Sequence, residues 1–328
     1  MVHFTWNKVT DLMCRLGLAV FTMVVITGIT ICGCSDAEKS DKKSFTSPNE
    51  AVNALINAVK QNDTQKLLAI TGPEGEEIVS SGDEVADKAE RTRFLEAFEA
   101  MHKLEQETPE KAILIIGKEK WPFPIPMVKA GERWHFDVAA GKEELLNRRI
   151  GRNELNVIKV MNAYVDAQRE YAIIDRDGDD VREFAQKLPS DEGKKDGLYW
   201  PAKEGEEMSP MGPFIAKARE EGYRKKDEGP PPYHGYYYKI LKAQGASPPG
   251  GAYDYVVNGN MILGFGLLAH PAEYGASGIM TCIINQQGIV YEKDLGEETA
   301  TIAEAMETYD PDETWKKVAD VSLPSSGE

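Results

Sequence analysis

The sequence predicts an α+β protein: a small helical and antiparallel-sheet N-terminal domain, then a long central helix packed on an antiparallel sheet. Three observations carry this. Residues 141–180 hold a sustained helical period that closes on an acidic turn. Ahead of it, two capped helical segments and a charged helix give way to runs rich in apolar and β-branched residues. Behind it lie five short strand-like runs, four of them joined in pairs by the turn signals Asn258-Gly259 and Gln286-Gln287-Gly288. The 328 residues divide accordingly into a leader (1–33), a tether (34–46), an α+β domain (47–140) and the long helix with its sheet (141–322).

The leader explains where such a chain resides. Lys8 and Arg15 precede an apolar run from Leu16 to Ile31, which is short for a membrane span and suits a signal-peptide core. The run ends in Ile31-Cys32-Gly33-Cys34, which resembles the bacterial lipoprotein box: an aliphatic residue, a small residue, then the cysteine to be lipidated. Cys32 departs from that pattern at the second place before the acceptor, and an uncleaved membrane anchor is the alternative. Cys34 is thus the expected lipid anchor, placing the chain in a bacterial cell envelope, facing the periplasm or on the outer membrane. Ser35 lacks the aspartate that marks inner-membrane retention in enterobacteria, which favours the outer membrane. Asp36–Phe45 is polar and aperiodic and reads as a flexible tether.

Composition narrows the partners. At 41% hydrophobic and 28% charged, the chain is globular in type. Its formal charge is −16, and because Lys8, Arg15 and Asp11 give the leader +1, the rest carries −17. A surface that negative disfavours nucleic acid as a partner. The cysteines leave no pair for a disulfide in a mature chain and no metal spacing, so Cys282 is expected in a buried strand.

In the N-terminal domain, Ser47-Pro48-Asn49-Glu50 is a helix start with a serine cap, proline in the first turn and glutamate three residues on. That helix is expected to bury Val52, Leu55, Ile56 and Val59. Thr64 is the expected cap of a second helix stopped by Gly72-Pro73, and a charged helix is expected from Asp83 to Glu107. Strands are expected over Ala112–Ile116, Phe123–Lys129 and Arg133–Val138, the last two joined at Ala130-Gly131. Helices followed by such a meander resemble the nuclear-transport-factor-like α+β cone, with Trp121 and Trp134 either in the core or lining a pocket.

The central helix is expected to start at Gly141 and to bury Leu155, Ile158, Met161, Val165 and Ala172, with Tyr164 and Tyr171 beside that stripe. Later strands are expected over Gly235–Leu241, Ala252–Val257, Met261–Ala269, Gly278–Asn285 and Ile289–Glu292. A final helix is expected from Thr299, its cap, to Thr308, with Trp315 packing back on the sheet.

Several blocks carry a family resemblance. They are Gly151-Arg152-Asn153-Glu154, the run Ala163–Tyr171, Asp196-Gly197-Leu198-Tyr199-Trp200-Pro201, Tyr233-His234-Gly235-Tyr236-Tyr237, the run Gly250–Val256, and Glu292-Lys293-Asp294-Leu295-Gly296. Together they resemble a bacterial lipoprotein family described as domain of unknown function 2950. The resemblance implies a secreted or lipid-anchored envelope protein and no particular activity. A looser resemblance links the C-terminal half to the heads of type IV pilins and pseudopilins, where a long helix precedes an acidic loop and an antiparallel sheet. The chain lacks the bare hydrophobic N-terminal helix that pilin filaments need, so assembly by that mechanism is not expected.

Three candidate sites follow from residue chemistry. Asp175, Asp177 and Asp179 alternate as in a calcium loop, with Glu183 as a further oxygen ligand; Asp180 stands where an EF-hand has glycine. Calcium is the candidate ion, and no cofactor is required. Tyr199, Trp200, Tyr233, Tyr236 and Tyr238 lie among glycines and prolines and offer ring faces to a glycan or peptide, or else brace the core. His234, His270 and Glu273 would have to converge for hydrolysis, and Pro271 breaks the helical spacing a zinc protease uses. No nucleophile elbow or phosphate loop is present. The leading expectation is a non-catalytic interaction or assembly module of the envelope. The alternatives are a calcium-stabilised lipoprotein that binds a glycan, peptide or small ligand, and a hydrolase.

Replacing Cys34 tests the anchor. Cys34→Ala is expected to leave an unprocessed precursor or release the protein from membranes, read by metabolic lipid labelling and fractionation; unchanged lipidation removes the lipoprotein box from the reading.

Overall fold

The computed structural model describes residues 42–203, 205–224 and 230–319. Helix α1 (Pro48–Lys60) starts as expected, with the Ser47 hydroxyl accepting from the Glu50 N–H at 3.2 Å and proline in the first turn. Glu50 turns outward to accept from the Thr46 N–H at 2.7 Å instead of closing back on Ser47. Helix α2 (Thr64–Thr71) is capped by Asp63, not Thr64, because the Asp63 carboxylate reaches the Lys66 N–H at 3.0 Å. After a short turn come α3 (Glu76–Val79) and α4 (Glu84–Ala100).

Helix α4 stops seven residues before the expected Glu107, and the chain enters strand β1 (His102–Thr108). The strand lies on the sheet edge with polar residues on both faces, nearly all exposed, so its sequence carries no apolar alternation. The sheet continues with β2 (Lys111–Ile116), β3 (Trp121–Pro122), β4 (Met127–Ala130) and β5 (Arg133–Phe136), in the order β1-β2-β4-β5 with β3 also on β2. Of the expected strand Phe123–Lys129, only the part from Met127 on pairs, as β4; Pro124 and Pro126 have no N–H to give a ladder, and residues 123–126 form no strand. Ala112, Leu114 and Ile116 face α1 in a core that also holds Val52, Leu55, Ile56, Val59 and Trp134.

Helix α5 (Val138–Tyr171) spans 34 residues, about 50 Å. It begins three residues ahead of the expected Gly141. A Cβ on Gly141 would stand 2.3 Å from the Pro124 carbonyl oxygen, so glycine lets the helix lie against that backbone. Farther along, the buried stripe is Val157, Met161, Tyr164, Val165, Gln168 and Tyr171. The two tyrosines are therefore in the core and not beside it. Leu155 is 46% exposed, because it lies two residues before Val157 and so on the opposite side of the helix. Buried Gln168 clamps the chain that follows: its Nε2 donates to the Ala185 carbonyl and its Oε1 accepts from the Ala185 N–H, both at 2.8 Å.

Helix α6 (Gly212–Glu221) precedes the second sheet region, which holds β6 (Tyr236–Leu241), β7 (Ala243–Gln244), β8 (Tyr253–Asp254), β9 (Val256–Val257), β10 (Asn260–Met261), β11 (Gly266–Pro271), β12 (Met280–Asn285) and β13 (Tyr291–Asp294). Helix α7 (Thr299–Ala305), β14 (Thr308–Tyr309) and β15 (Lys316–Lys317) complete it. The main sheet is antiparallel in the order β15-β13-β12-β11-β6. Its two faces separate by the strand period: Leu267, Ala269, Cys282 and Ile284 join the α5 core, while Leu268 and Ile283 meet Ala303, Tyr309 and Trp315. Thr299 lies inside α7 and is not its cap; its hydroxyl donates to the Gly296 carbonyl. Trp315 packs on the sheet, as expected.

One carboxylate joins the N-terminal helices to the second sheet. Asp83, 2% exposed, uses Oδ1 to accept from the Val85 and Ala86 N–H groups at the start of α4, at 3.1 and 3.0 Å. Its Oδ2 accepts from the Tyr223 hydroxyl at 2.9 Å and the Gly235 N–H at 2.8 Å, just before β6. His234 and Gly235 take φ of +52° and +78° to present that N–H. Around the same joint, Asn153 donates to the Ser277 carbonyl, and Glu154 accepts from the Ile279 and Met280 N–H groups.

Asp83→Ala removes a helix cap and leaves two buried donors without an acceptor, and is expected to lower unfolding free energy by about 3 kcal/mol in urea melts. Asp83→Asn keeps an acceptor and should lose about half as much. A loss below about 0.5 kcal/mol for Asp83→Ala would show that the joint is held elsewhere.

Candidate functional site

A concavity with a largely apolar floor lies between α4, α5 and the first sheet, with a volume of about 350 Å³. Its interior is apolar because α1, α2 and β2 supply Leu55, Val59, Leu67 and Ile116, while Phe94, Ala97 and Phe123 form a wall. Phe94 and Phe123 stack at a tilt with centroids 5.3 Å apart. A groove of similar size over α1 and α2 is lined mainly by exposed polar side chains such as Asn53, Asn57, Gln61 and Lys66, and offers no comparable interior.

The rim differs sharply from the floor. Arg91 and Arg93 come from α4, and Arg148, Arg149 and Arg152 from α5, facing Asp87 and Glu90. Five guanidiniums against Asp87, Glu90 and the Glu144 that pairs with Arg148 leave a local excess of positive charge in a chain whose total is −16. Arg149 is the structural member: it is 8% exposed in its side chain, donates to the Glu77 and Ile78 carbonyls at 2.6 Å, and pairs with Glu90 at 3.3 Å. Arg152 and Arg93 also reach Glu90, at 2.9 and 3.8 Å, from the solvent side. Arg148 lies 4.8 Å over the Trp121 ring and pairs with Glu144 at 2.6 Å. Trp121 lines the same cavity, and its indole N–H is buried without a hydrogen-bond partner among the described residues.

The electrostatics follow from that arrangement. Burial lowers the Arg93 guanidinium below its usual value, and repulsion from Arg152 outweighs the attraction of Glu90. Burial pushes the Asp87 carboxyl up, against hydrogen bonds from Ser81 that hold it down. A smaller cavity of about 170 Å³ lies across the Glu90 cluster and is lined by Asn153, Tyr223 and His234. The sequence alone assigns no binding role to these arginines, and Arg152 stands out only as part of a family block. Arg148 and Arg152, four apart on one helix face, are the signal in the sequence; Arg91-x-Arg93 has no helical-face spacing.

The residues expected from sequence lie elsewhere. Cys34 falls outside the described residues. Asp175, Asp177 and Asp179 do come together, with one carboxylate oxygen of each within 4.8 Å of the others. The loop engages them itself: Asp175 accepts from the Gly178 and Asp180 N–H groups, and Asp179 from the Val181 N–H and the Asn260 side chain. Glu183 accepts from the Met261 N–H at 3.2 Å and is not one of the grouped ligands; burial and the nearby aspartates raise its carboxyl. A hard cation here would thus have three aspartates and not four carboxylates.

The aromatic set is dispersed through the core. Trp200 is 5% exposed and Tyr236 is fully buried, donating to the Met280 carbonyl at 3.0 Å, so neither presents a free face. Tyr238 packs on the same core, Tyr233 stacks edge-on with Phe214 and Tyr223, and the face of Tyr199 is covered by Arg219 at 5.1 Å. The hydrolase set separates as well. His234 lies 3.7 Å from Glu221, His270 is buried against Tyr237, and the Glu273 side chain lies over Gly82. The three do not form a metal-capable group among the described residues.

Calcium titration decides the use of the acidic loop. A cation held by the three aspartates adds about 1.4 kcal/mol of stability at ten times its Kd. Thermal melts of the chain from Ser35 onward, with calcium and with chelator, would show that increment, and Asp177→Ala would abolish it. Equal melts would leave the loop held by its own amides.

A family model described as "Protein of unknown function (DUF2950)" matches residues 42–318. No curated protein and no solved structure matches the chain significantly. With nearly all of its described length covered, the chain belongs to the DUF2950 family.

Proposed function

We propose that this protein is a lipid-anchored bacterial envelope protein that acts by binding a small ligand in the cavity between α4, α5 and the first sheet. The anchor rests on the Ile31-Cys32-Gly33-Cys34 pattern behind a signal-like leader. The binding role rests on one observation: a cavity of about 350 Å³ with an apolar interior and a convergent polar rim, the usual composition of small-molecule sites. Its size is at the lower end for such sites, enough for about a dozen non-hydrogen atoms at a water-sized volume each.

An interaction or assembly module is the second reading. It is favoured by exposed Ile173 and Ile174 at the end of α5 and by Ile262 and Leu263 after β10. The acidic loop joins the two segments, because Asp179 and Glu183 bond to Asn260 and Met261. Exposed apolar side chains of this kind suit a protein partner.

A neutral probe tests the cavity. Decanol titrated into the chain from Ser35 onward by calorimetry should bind saturably at one site. Ala97→Phe places a ring in the cavity and should weaken that binding by at least about tenfold while the fold still melts cooperatively. Absent binding, or binding unchanged by Ala97→Phe, would overturn the assignment of the cavity.

A further inference from the structure

Resting on the binding reading above, we infer that the ligand class of this cavity is a single-chain amphipathic anion: an apolar body of roughly ten carbons with one carboxylate or phosphate head at Arg93 and Arg152. The division of labour among the arginines carries the inference. Arg149 is consumed by structure, since its guanidinium is spent on two backbone carbonyls and Glu90. Arg93 and Arg152 hold the same carboxylate from the solvent side with side chains 54% and 43% exposed. One glutamate has two oxygens for three guanidiniums, each with several donors in a planar fork, so the mouth keeps donors for a second anion.

The interior fixes the other half of the ligand. Phe94, Ala97 and Ile116 present no polar side-chain atoms, so a chain entering past the arginines meets a largely apolar surface, interrupted by Thr71 and Asp87. A free inorganic anion would leave that surface unused, and a neutral hydrocarbon would leave the guanidinium excess unmatched. On the Arg148 side, Trp121 lines the cavity with a buried indole N–H that has no partner among the described residues. The global charge of −16 gives the local excess a selective role, because polyanions and anionic bilayer surfaces are repelled by the remainder while a small monoanion can still enter.

The test compares head groups on one chain length. Decanoate, decyl phosphate and decanol are titrated calorimetrically into the chain from Ser35 onward at neutral pH and low salt. Decanoate and decyl phosphate are expected to bind at least tenfold more tightly than decanol, with the preference shrinking as ionic strength rises. Arg152→Gln and Arg93→Gln alter exposed rim positions. Each should reduce decanoate affinity by about tenfold and leave decanol affinity unchanged. Equal binding of decanol and decanoate, or a preference that survives both substitutions, overturns the anionic class while leaving the cavity as a binding site. Failure of all three probes to bind overturns the binding reading itself.

Discussion

The buried carboxylate of Asp83 is the constraint on which the arrangement of the two halves depends. A carboxylate taken out of water must have its lone pairs met by donors, and Asp83 meets them from three directions: the α4 amides, Tyr223 and Gly235. The bonds set where α4 begins relative to β6, and so where Asp87, Glu90, Arg91 and Arg93 stand along one wall of the cavity. The unusual backbone of His234 and Gly235 follows from the same requirement, because the Gly235 N–H has to point at that carboxylate. A Cβ at Gly235 would also come within 2.6 Å of the Asn153 amide, so side-chain packing and hydrogen bonding both call for glycine there.

Helix α5 then extends the order that Asp83 establishes. Its first turns pack on the first core, its middle carries Arg148, Arg149 and Arg152 to the cavity, and its last turns form one wall of the second core. The change of use along one helix shows in its side chains. Arg149 reaches the α3 backbone, Asn153 and Glu154 reach the segment before β12, and Tyr164 and Gln168 are buried under the sheet. Cavity and sheet are thus fastened to the same rigid element without sharing a core.

The sequence was informative wherever a local rule decides structure. Ser47 with Pro48, the Gly72 stop and the short apolar runs through Leu267–Ala269 and Cys282–Ile284 all describe short-range physics, and the elements form there. It was uninformative where tertiary contact decides. Strand β1 exists because β2 offers a ladder, not because its polar residues favour one. Tyr164 and Tyr171 have hydroxyls that read as boundary residues, yet each finds a partner inside, at the Gly266 and Lys195 carbonyls. The aromatic segment was conspicuous in sequence because core tyrosines and tryptophans stand out there. The arginine rim was not, since Arg91 and Arg152 come together only after two helices pack.

The reach of the Asp83 bond to Gly235 also has a consequence for biosynthesis. The two residues are 152 positions apart, so although the Val85 and Ala86 amides can cap α4 at once, the second carboxylate oxygen has no Gly235 donor while the N-terminal segment leaves the ribosome or a translocation channel. At about 5–20 residues per second, the wait for Gly235 is on the order of ten to thirty seconds. Until then the arginine-bearing face of α4 lacks its final support, and the nascent segment is the stage at which holdase protection would matter most. Completion of the cavity wall is in this way timed by the arrival of the second sheet.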